Sequence, residues 1–269
     1  MHPMTEPRHI LSLSGGKDSA ALAIYMRDEI PQMEYIFHDT DKELPETHEY
    51  IARLEALLGK PIVRTSTQTR GFDHWWKVYG EMIPSGHRRW CTKMLKLKPF
   101  ERYVGSDLVI NYVGLRADED REGYISHRPN IQSVYPFKRD GKVYADIVQI
   151  LEESGLGLPQ YTKWGRTRSG CFFCFYQQKI EWVRLKEHHP HLFEEAKQYE
   201  EANRYLEHPF YWSGTEALTD LERPERMEEI KRKWEAESGR RKVTDNRTLF
   251  NIINDVEEEE REGCLICQI

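Results

Sequence analysis

The chain has 269 residues, enough for one α/β domain with additions or two modest domains, and its 39% hydrophobic and 12% aromatic content supports a buried core. A net charge of −6 argues against a chain built chiefly to coat nucleic acid, although local basic patches stay open to it. No apolar run approaches the ~20 residues of a membrane-spanning helix, and residues 1–8 lack the apolar core of a secretory signal, so a cytoplasmic protein with no membrane partner is expected.

Residues 9–13, His-Ile-Leu-Ser-Leu, predict a buried strand, and after a polar loop an alanine-rich run predicts a helix over 18–29. There follow a strand over 34–38, a helix over 46–58 closed by Gly59, and a strand over 61–65. Short helices are predicted over 72–79 and 92–103, then a strand over 108–115 and a short edge strand over 134–137. A helix over 144–154 stops at Gly155. Apolar runs alternating with helical patterns predict an α/β fold over 8–175, Rossmann-like and doubly wound on a mostly parallel sheet. Charged helical patterns at 181–186, 192–206, 224–237 and 248–260 predict an added helical C-terminal region over 176–262, followed by a cysteine-containing tail at 263–269.

The loop between the first strand and helix is Ser14-Gly15-Gly16-Lys17-Asp18-Ser19. Two glycines permit a sharp turn and close approach of backbone to ligand. Two hydroxyls, the Lys17 ammonium and the unpaired N–H groups of a helix start then converge on one point, which is a phosphate site. The competing reading is a Gly-Gly turn with a helix cap. The spacing is not that of the Walker loop. The second strand ends in Asp39-Thr40-Asp41, which in a doubly wound sheet faces the same crevice. An acid there holds Mg²⁺ on phosphate oxygens or a ribose hydroxyl; alternatively it belongs to a polar turn in which Pro45 opens a helix.

Five cysteines in a reducing compartment point to metal, cluster or redox roles rather than disulfides. Cys171-x-x-Cys174 offers two coordination sites from one turn. The segment 87–102 sets Arg88, Arg89, Lys93, Lys96, Lys98 and Arg102 against one acid, Glu101, and suits a phosphate, a sulfate or a nucleic-acid backbone. Trp90 and the Trp75-Trp76 pair are candidates to stack a base, or else core residues. His188-His189-Pro190-His191 reads as a polar junction between helices, not a metal set.

Ser14–Ser19, then Asp39-Thr40 with Pro45-Glu46-Thr47, resembles the adenine nucleotide α-hydrolase group, the N-type ATP pyrophosphatases. Within it the chain is most similar to the phosphoadenosine phosphosulfate (PAPS) reductase family. Cys91 with its basic run to Pro99, Gly114-Leu115-Arg116 through Arg121, and Gly165 through Cys174 extend the likeness across roughly 8–180. The resemblance implies a nucleotide site built from Ser12, Ser14, Gly15, Gly16, Lys17, Asp18, Ser19, Asp39, Thr40 and Gly114. It implies ATP, or an adenylyl sulfate nucleotide, with Mg²⁺ near Asp18 or Asp39. Lys17, Asp18, Arg116 and Arg121 would work on the phosphates, and Arg88, Arg89, Lys93, Lys96, Arg166 and Arg168 on substrate anions.

It further implies that Cys91, Cys171 and Cys174 hold a [4Fe–4S] cluster, with Cys264 or Cys267 as a fourth ligand; residue 90 is Trp where relatives carry a tandem cysteine. Two C-x-x-C pairs around Zn²⁺, or unligated thiols, are the alternatives. The intact loop favours relatives that cleave ATP between the α- and β-phosphates and adenylate an acceptor for sulfur chemistry. A thiol-dependent reductase of adenylyl sulfate or its 3′-phosphate, using Cys264 or Cys267, is the first alternative. The second is a nucleotide-binding accessory of a nucleic-acid modification or defence assembly, with a partner chain. A homodimer is compatible with all three.

Overall fold

The structure is a computed structural model and describes residues 6–65, 70–120, 126–202 and 210–243. Arg8–Leu13 (β1), Glu34–Phe37 (β2), Ile62–Arg64 (β3), Val109–Tyr112 (β4) and Ile131–Val134 (β5) form one sheet. Its order is β3-β2-β1-β4-β5, and every neighbouring pair is parallel. The edge strand expected over 134–137 lies earlier, at 131–134. Pro136 instead opens a short helix, Pro136–Arg139, because its fixed φ suits a first helical position and its missing N–H ends strand pairing.

The helices, in chain order, are Lys17–Met26 (α1), Pro45–Leu58 (α2), Phe72–Val78 (α3), Trp90–Thr92 (α4), Lys98–Val104 (α5), Pro136–Arg139 (α6) and Tyr144–Glu153 (α7). Lys179–His188 (α8), Pro190–Glu201 (α9), Leu218–Leu221 (α10) and Pro224–Val243 (α11) follow. A π-helical turn, Lys93–Leu97, joins α4 to α5, and a 3-10 turn, Gln160–Trp164, precedes the C-x-x-C. Gly59 closes α2 in the left-handed conformation (φ 62°) and returns its N–H to the Glu55 carbonyl, the stop that its place in the sequence predicts. The helix expected over 248–260 and the tail lie outside the described residues.

Alternation along the strands sends Leu11, Leu13, Tyr35, Phe37 and Tyr112 to one face, under α1, α2 and α7. It sends Ile10, Ile36, Val109 and Ile131 to the other, under Phe100 and Val104 of α5. Burial on both faces explains why these strands read as continuous apolar runs. A third cluster joins Phe72 of α3, Phe172 and Phe173 of the C-x-x-C segment, Trp182 and Phe193 of α8 and α9, and Trp212. Phe173 stacks on Trp212 with ring centres 4.7 Å apart and meets Phe72 at 4.5 Å. The C-terminal helices therefore share a core with the cysteine segment.

His38, just past β2, is 3% exposed, with Nδ1 2.7 Å from the Thr65 hydroxyl and its ring edge-on to Phe100. Burial, with the nearby Lys96 charge, pulls its pKa down to about 3. A histidine held neutral in the fold and free to charge when unfolded stabilises fully above its unfolded pKa, about 6.5. That stability is lost as pH falls from there towards 3, at up to about 1.4 kcal/mol per unit. Urea midpoints measured between pH 7 and 4.5 should therefore fall less steeply in His38→Gln than in the parent. Parallel decline in the two proteins would refute this role.

Candidate functional site

The sheet order reverses direction at β1, whose neighbours are β2 and β4, and in open α/β sheets ligands lie beyond the carboxyl ends of the strands at such a point. The loop after β1 forms the floor. Gly15 sits at φ +74°, and a Cβ on it would lie 2.4 Å from Thr47 Cγ2, so neither backbone nor space admits a side chain. The Ser19 hydroxyl accepts the Ser14 N–H (3.2 Å) and donates to the Gly16 carbonyl (3.3 Å). The Ser14 hydroxyl accepts the Gly16 N–H (3.3 Å) and lies 3.2 Å from the Ser19 hydroxyl. These bonds set the loop shape before any ligand arrives.

Lys17 and Asp18 open α1 and are buried, which is unusual for charged residues in a first turn. Their company accounts for it. Asp18 Oδ1 accepts from Arg116 Nη1 at 2.8 Å, and Lys17 Nζ stands 3.8 Å from Asp18 Oδ2. Arg116, 2% exposed, comes from the loop after β4 and also reaches Asp118 (3.1 Å) and Glu119 (3.8 Å). The Tyr144 ring, at the start of α7, lies under both Lys17 and Arg116 at 5.4 Å. Gly114 lets the two loops close on each other: a Cβ there would stand 3.0 Å from the Asp18 carbonyl oxygen.

On the β2 side, Asp39 Oδ1 accepts the Asp41 N–H (3.0 Å), and its Oδ2 is 3.7 Å from His48. Asp41, at φ +64°, has its carboxyl pushed up by burial and by the Asp39 charge. Thr40 is buried, donates to Glu43 (2.9 Å) and lies 3.1 Å from the Cys171 sulfur. Ser12, one residue before the end of β1, is 1% exposed.

Several expected anion ligands point elsewhere. Arg166 is 2% exposed and turns inward, donating to the carbonyls of Arg168, Gly170, Cys171 and Phe172 and to Gln177. It shapes the cysteine turn, not an external anion. Lys96 is 9% exposed, and its charge acts on His38, Glu43 and Cys171 in the interior. Trp90 is 6% exposed and stacked on Tyr79 (5.3 Å), with Nε1 donating to the Met82 carbonyl, so it is a core residue. Arg88, Arg89 and Lys93 do share an open pocket of about 440 Å³ with Tyr79, Met82 and Trp90. His189 Nε2 donates to the Glu46 carboxylate (2.7 Å), the polar junction its position suggests. Arg121, Cys264 and Cys267 lie outside the described residues.

Cys91 and Cys171 pack in the third core cluster, and Cys174 closes the turn with its N–H on the Cys171 carbonyl (3.0 Å). Burial, then the Glu43 charge, pushes the Cys171 thiol well up. Among the described residues no three His, Cys, Asp or Glu side chains are grouped to hold a metal ion. The described residues therefore do not show the cluster or zinc site expected of Cys91, Cys171 and Cys174, and the expected further ligands Cys264 and Cys267 lie outside them. No helix among the described residues is long and apolar enough to cross a membrane.

Sequence reasoning missed Ser169 and Tyr144. Ser169 donates to Ser14 at 3.2 Å from 155 residues away, and nothing local marks either residue as a partner of the loop.

Residues 8–135 match the phosphoadenosine phosphosulfate reductase domain. Two uncharacterized proteins of Methanocaldococcus jannaschii are 28% and 25% identical over 199 and 193 residues, 69% and 68% of this chain. The chain spans only 40% and 45% of their lengths. The crystal structure of phosphoadenylyl-sulfate (PAPS) reductase from Candida auris, a phosphate complex, has a similar fold, with a TM-score of 0.50 at 15% identity over 62% of this chain and 82% of that one. With the parallel sheet and the strand-loop-helix entry already described, residues 8–135 are a phosphoadenosine phosphosulfate reductase domain of the adenine nucleotide α-hydrolase superfamily.

Proposed function

We propose that the crevice binds an adenine nucleotide and cleaves ATP between the α- and β-phosphates. The observation that carries this reading is the Ser14–Ser19 loop, whose two glycines and two hydroxyls form a pre-set cradle at the start of α1. A nucleophile on the acceptor attacks the α-phosphorus, the bond to the β-phosphate oxygen breaks, and pyrophosphate leaves with the electron pair while AMP passes to the acceptor. Positioning and charge stabilisation do most of the work in such transfers. The loop N–H groups and Lys17 face the growing negative charge, and Arg116 holds Lys17's neighbour Asp18 in place. Mg²⁺ would supply charge neutralisation between phosphate oxygens. Asp39, crowded by Asp41, is a fitting carboxylate for it, since a cation relieves that crowding and Mg²⁺ commonly takes one or two carboxylates plus phosphates.

The acceptor is read as an anionic compound of sulfur chemistry, held by Arg88, Arg89 and Lys93 over the apolar wall of their pocket. The match of residues 8–135 to a PAPS reductase domain favours, as a second reading, a ready-made sulfonucleotide in the same crevice. Purified protein given Mg²⁺-ATP with candidate sulfur acceptors should release pyrophosphate. Sulfite from PAPS and a dithiol, without pyrophosphate from ATP, would establish the second reading instead. ATP binding without turnover of either substrate would make the chain an accessory nucleotide-binding protein.

A further inference from the structure

We infer that Ser169 is a phosphate-binding member of the cradle, delivered by the cysteine segment, so that nucleotide occupancy is transmitted to the C-x-x-C turn. This rests on the nucleotide reading above and extends it to a residue far from the loop in sequence.

The segment between the 3-10 turn and α8 is fastened to both crevice loops. At one end the Ser169 hydroxyl donates to Ser14 at 3.2 Å, and a Cβ on Gly16 would lie 2.8 Å from it, so it rests directly on the loop backbone. Tyr161, in the preceding 3-10 turn, reaches the Gly15 carbonyl at 3.4 Å. At the other end Cys171 forms an antiparallel bridge with Glu43, and the Phe172 N–H donates to the Lys42 carbonyl at 2.8 Å. Thr40 completes that end at the Cys171 sulfur, 3.1 Å away.

Between these ends the segment is stiff. The buried Arg166 guanidinium holds the carbonyls of residues on both sides of Ser169, from Arg168 at 3.0 Å to Cys171 at 2.8 Å. The link from Ser169 to Cys171 is Gly170 alone, at φ +136°, a conformation that other residues rarely adopt. Arg166 bonds the carbonyls of both Gly170 (3.2 Å) and Cys171 (2.8 Å), and through these contacts a displacement of Ser169 reaches Cys171.

The chemistry supplies the displacement. The Ser14 hydroxyl already receives the Gly16 N–H and the Ser169 O–H and lies within reach of Ser19. A serine oxygen has two acceptor positions and one hydrogen. An incoming phosphate oxygen is a stronger acceptor than a hydroxyl, so the Ser169 O–H turns from Ser14 to the phosphate. The cradle thus gains a hydroxyl donor, and with the Ser169–Ser14 bond given up the Ser169 oxygen is drawn towards the phosphate and the cysteine turn with it.

The test uses the full chain with ATP and with pyrophosphate as probes. Ser169→Ala should weaken both by about tenfold, the loss of one charge-assisted hydrogen bond of roughly 1.4 kcal/mol. In the parent, saturating pyrophosphate should change the alkylation rates of Cys171 and Cys174, followed peptide by peptide, by threefold or more, on the order of 0.6 kcal/mol. In Ser169→Ala at saturating probe that response should vanish. If the variant does not fold, the alkylation response of the parent still decides the matter. A parent that binds ATP while its Cys171 and Cys174 ignore it overturns the inference alone, as does a variant that binds as tightly as the parent. A parent that binds neither probe overturns the nucleotide reading and this inference with it.

Discussion

Gly15→Ala should abolish nucleotide binding and lower the stability of the fold by about 2–5 kcal/mol. Two costs add. The left-handed backbone at φ +74° costs an alanine roughly 1–2 kcal/mol. Its Cβ would lie 2.4 Å from Thr47 Cγ2 and 3.8 Å from Ile51 Cγ1, and relieving such an overlap in a packed site costs about 1–3 kcal/mol. Thr47 is wholly buried on α2 and has no room to retreat, so the loop moves instead. Movement of the loop breaks the Ser14–Ser19 and Ser14–Gly16 bonds that form the cradle. Gly59→Ala separates the two costs: Gly59 is also left-handed (φ +62°) but nothing lies within 4 Å of a Cβ there. Urea unfolding should show Gly59→Ala losing only the backbone share, about 1–2 kcal/mol, with nucleotide binding intact. Equal losses in the two variants would show that the contact with Thr47 carries no weight.

The parts of the site that were legible in the sequence are those whose physics is local. A Gly-Gly turn between an apolar run and an alanine-rich helix is visible because the strand, the turn and the helix start adjoin in the chain. The acids after β2 and the Gly-x-Arg after β4 were legible for a related reason, since a parallel sheet brings every strand's carboxyl end to one edge. What escaped depends on which way a long side chain turns. Arg166 and Lys96 carry the charge that an anion site needs, but the carbonyls of the cysteine turn claim Arg166, and Lys96 lies inside beside Glu43 and His38. Trp90 has the ring that a base would stack on, yet Tyr79 already stacks on it. Composition reports the chemistry of a residue; only packing reports its direction. Ser169 is the converse case, an ordinary residue brought onto the loop by where Gly170 and Arg166 place it.

Arg116 is the second residue whose loss should be severe, and for a different reason. Its guanidinium is 2% exposed and stands among the carboxylates of Asp18, Asp118 and Glu119. Arg116→Met keeps much of the volume but leaves three acids crowded with no guanidinium between them. Removing one partner of a buried ion pair costs about 3–5 kcal/mol, because the remaining charge stays desolvated. Arg139→Ala offers the contrast: that side chain is 60% exposed, and its 2.7 Å pair with Asp140 should contribute no more than about 1 kcal/mol. Arg116→Lys should not rescue, since an ammonium cannot bond Asp18 and Asp118 at once from a planar fork. Asp18→Asn in the Arg116→Met background should recover part of the loss, as relief of an uncompensated buried charge requires, with a coupling of about 1–3 kcal/mol. Pyrophosphate release should vanish in both Arg116 variants, because Asp18 and through it Lys17 lose the contact that fixes them at the mouth of the cradle. Stability and turnover are separate readouts here. An Arg116→Met protein that unfolds with the parent refutes the ion-pair account whatever its activity, whereas one that is destabilised yet still releases pyrophosphate keeps that account and removes Arg116 from the chemistry.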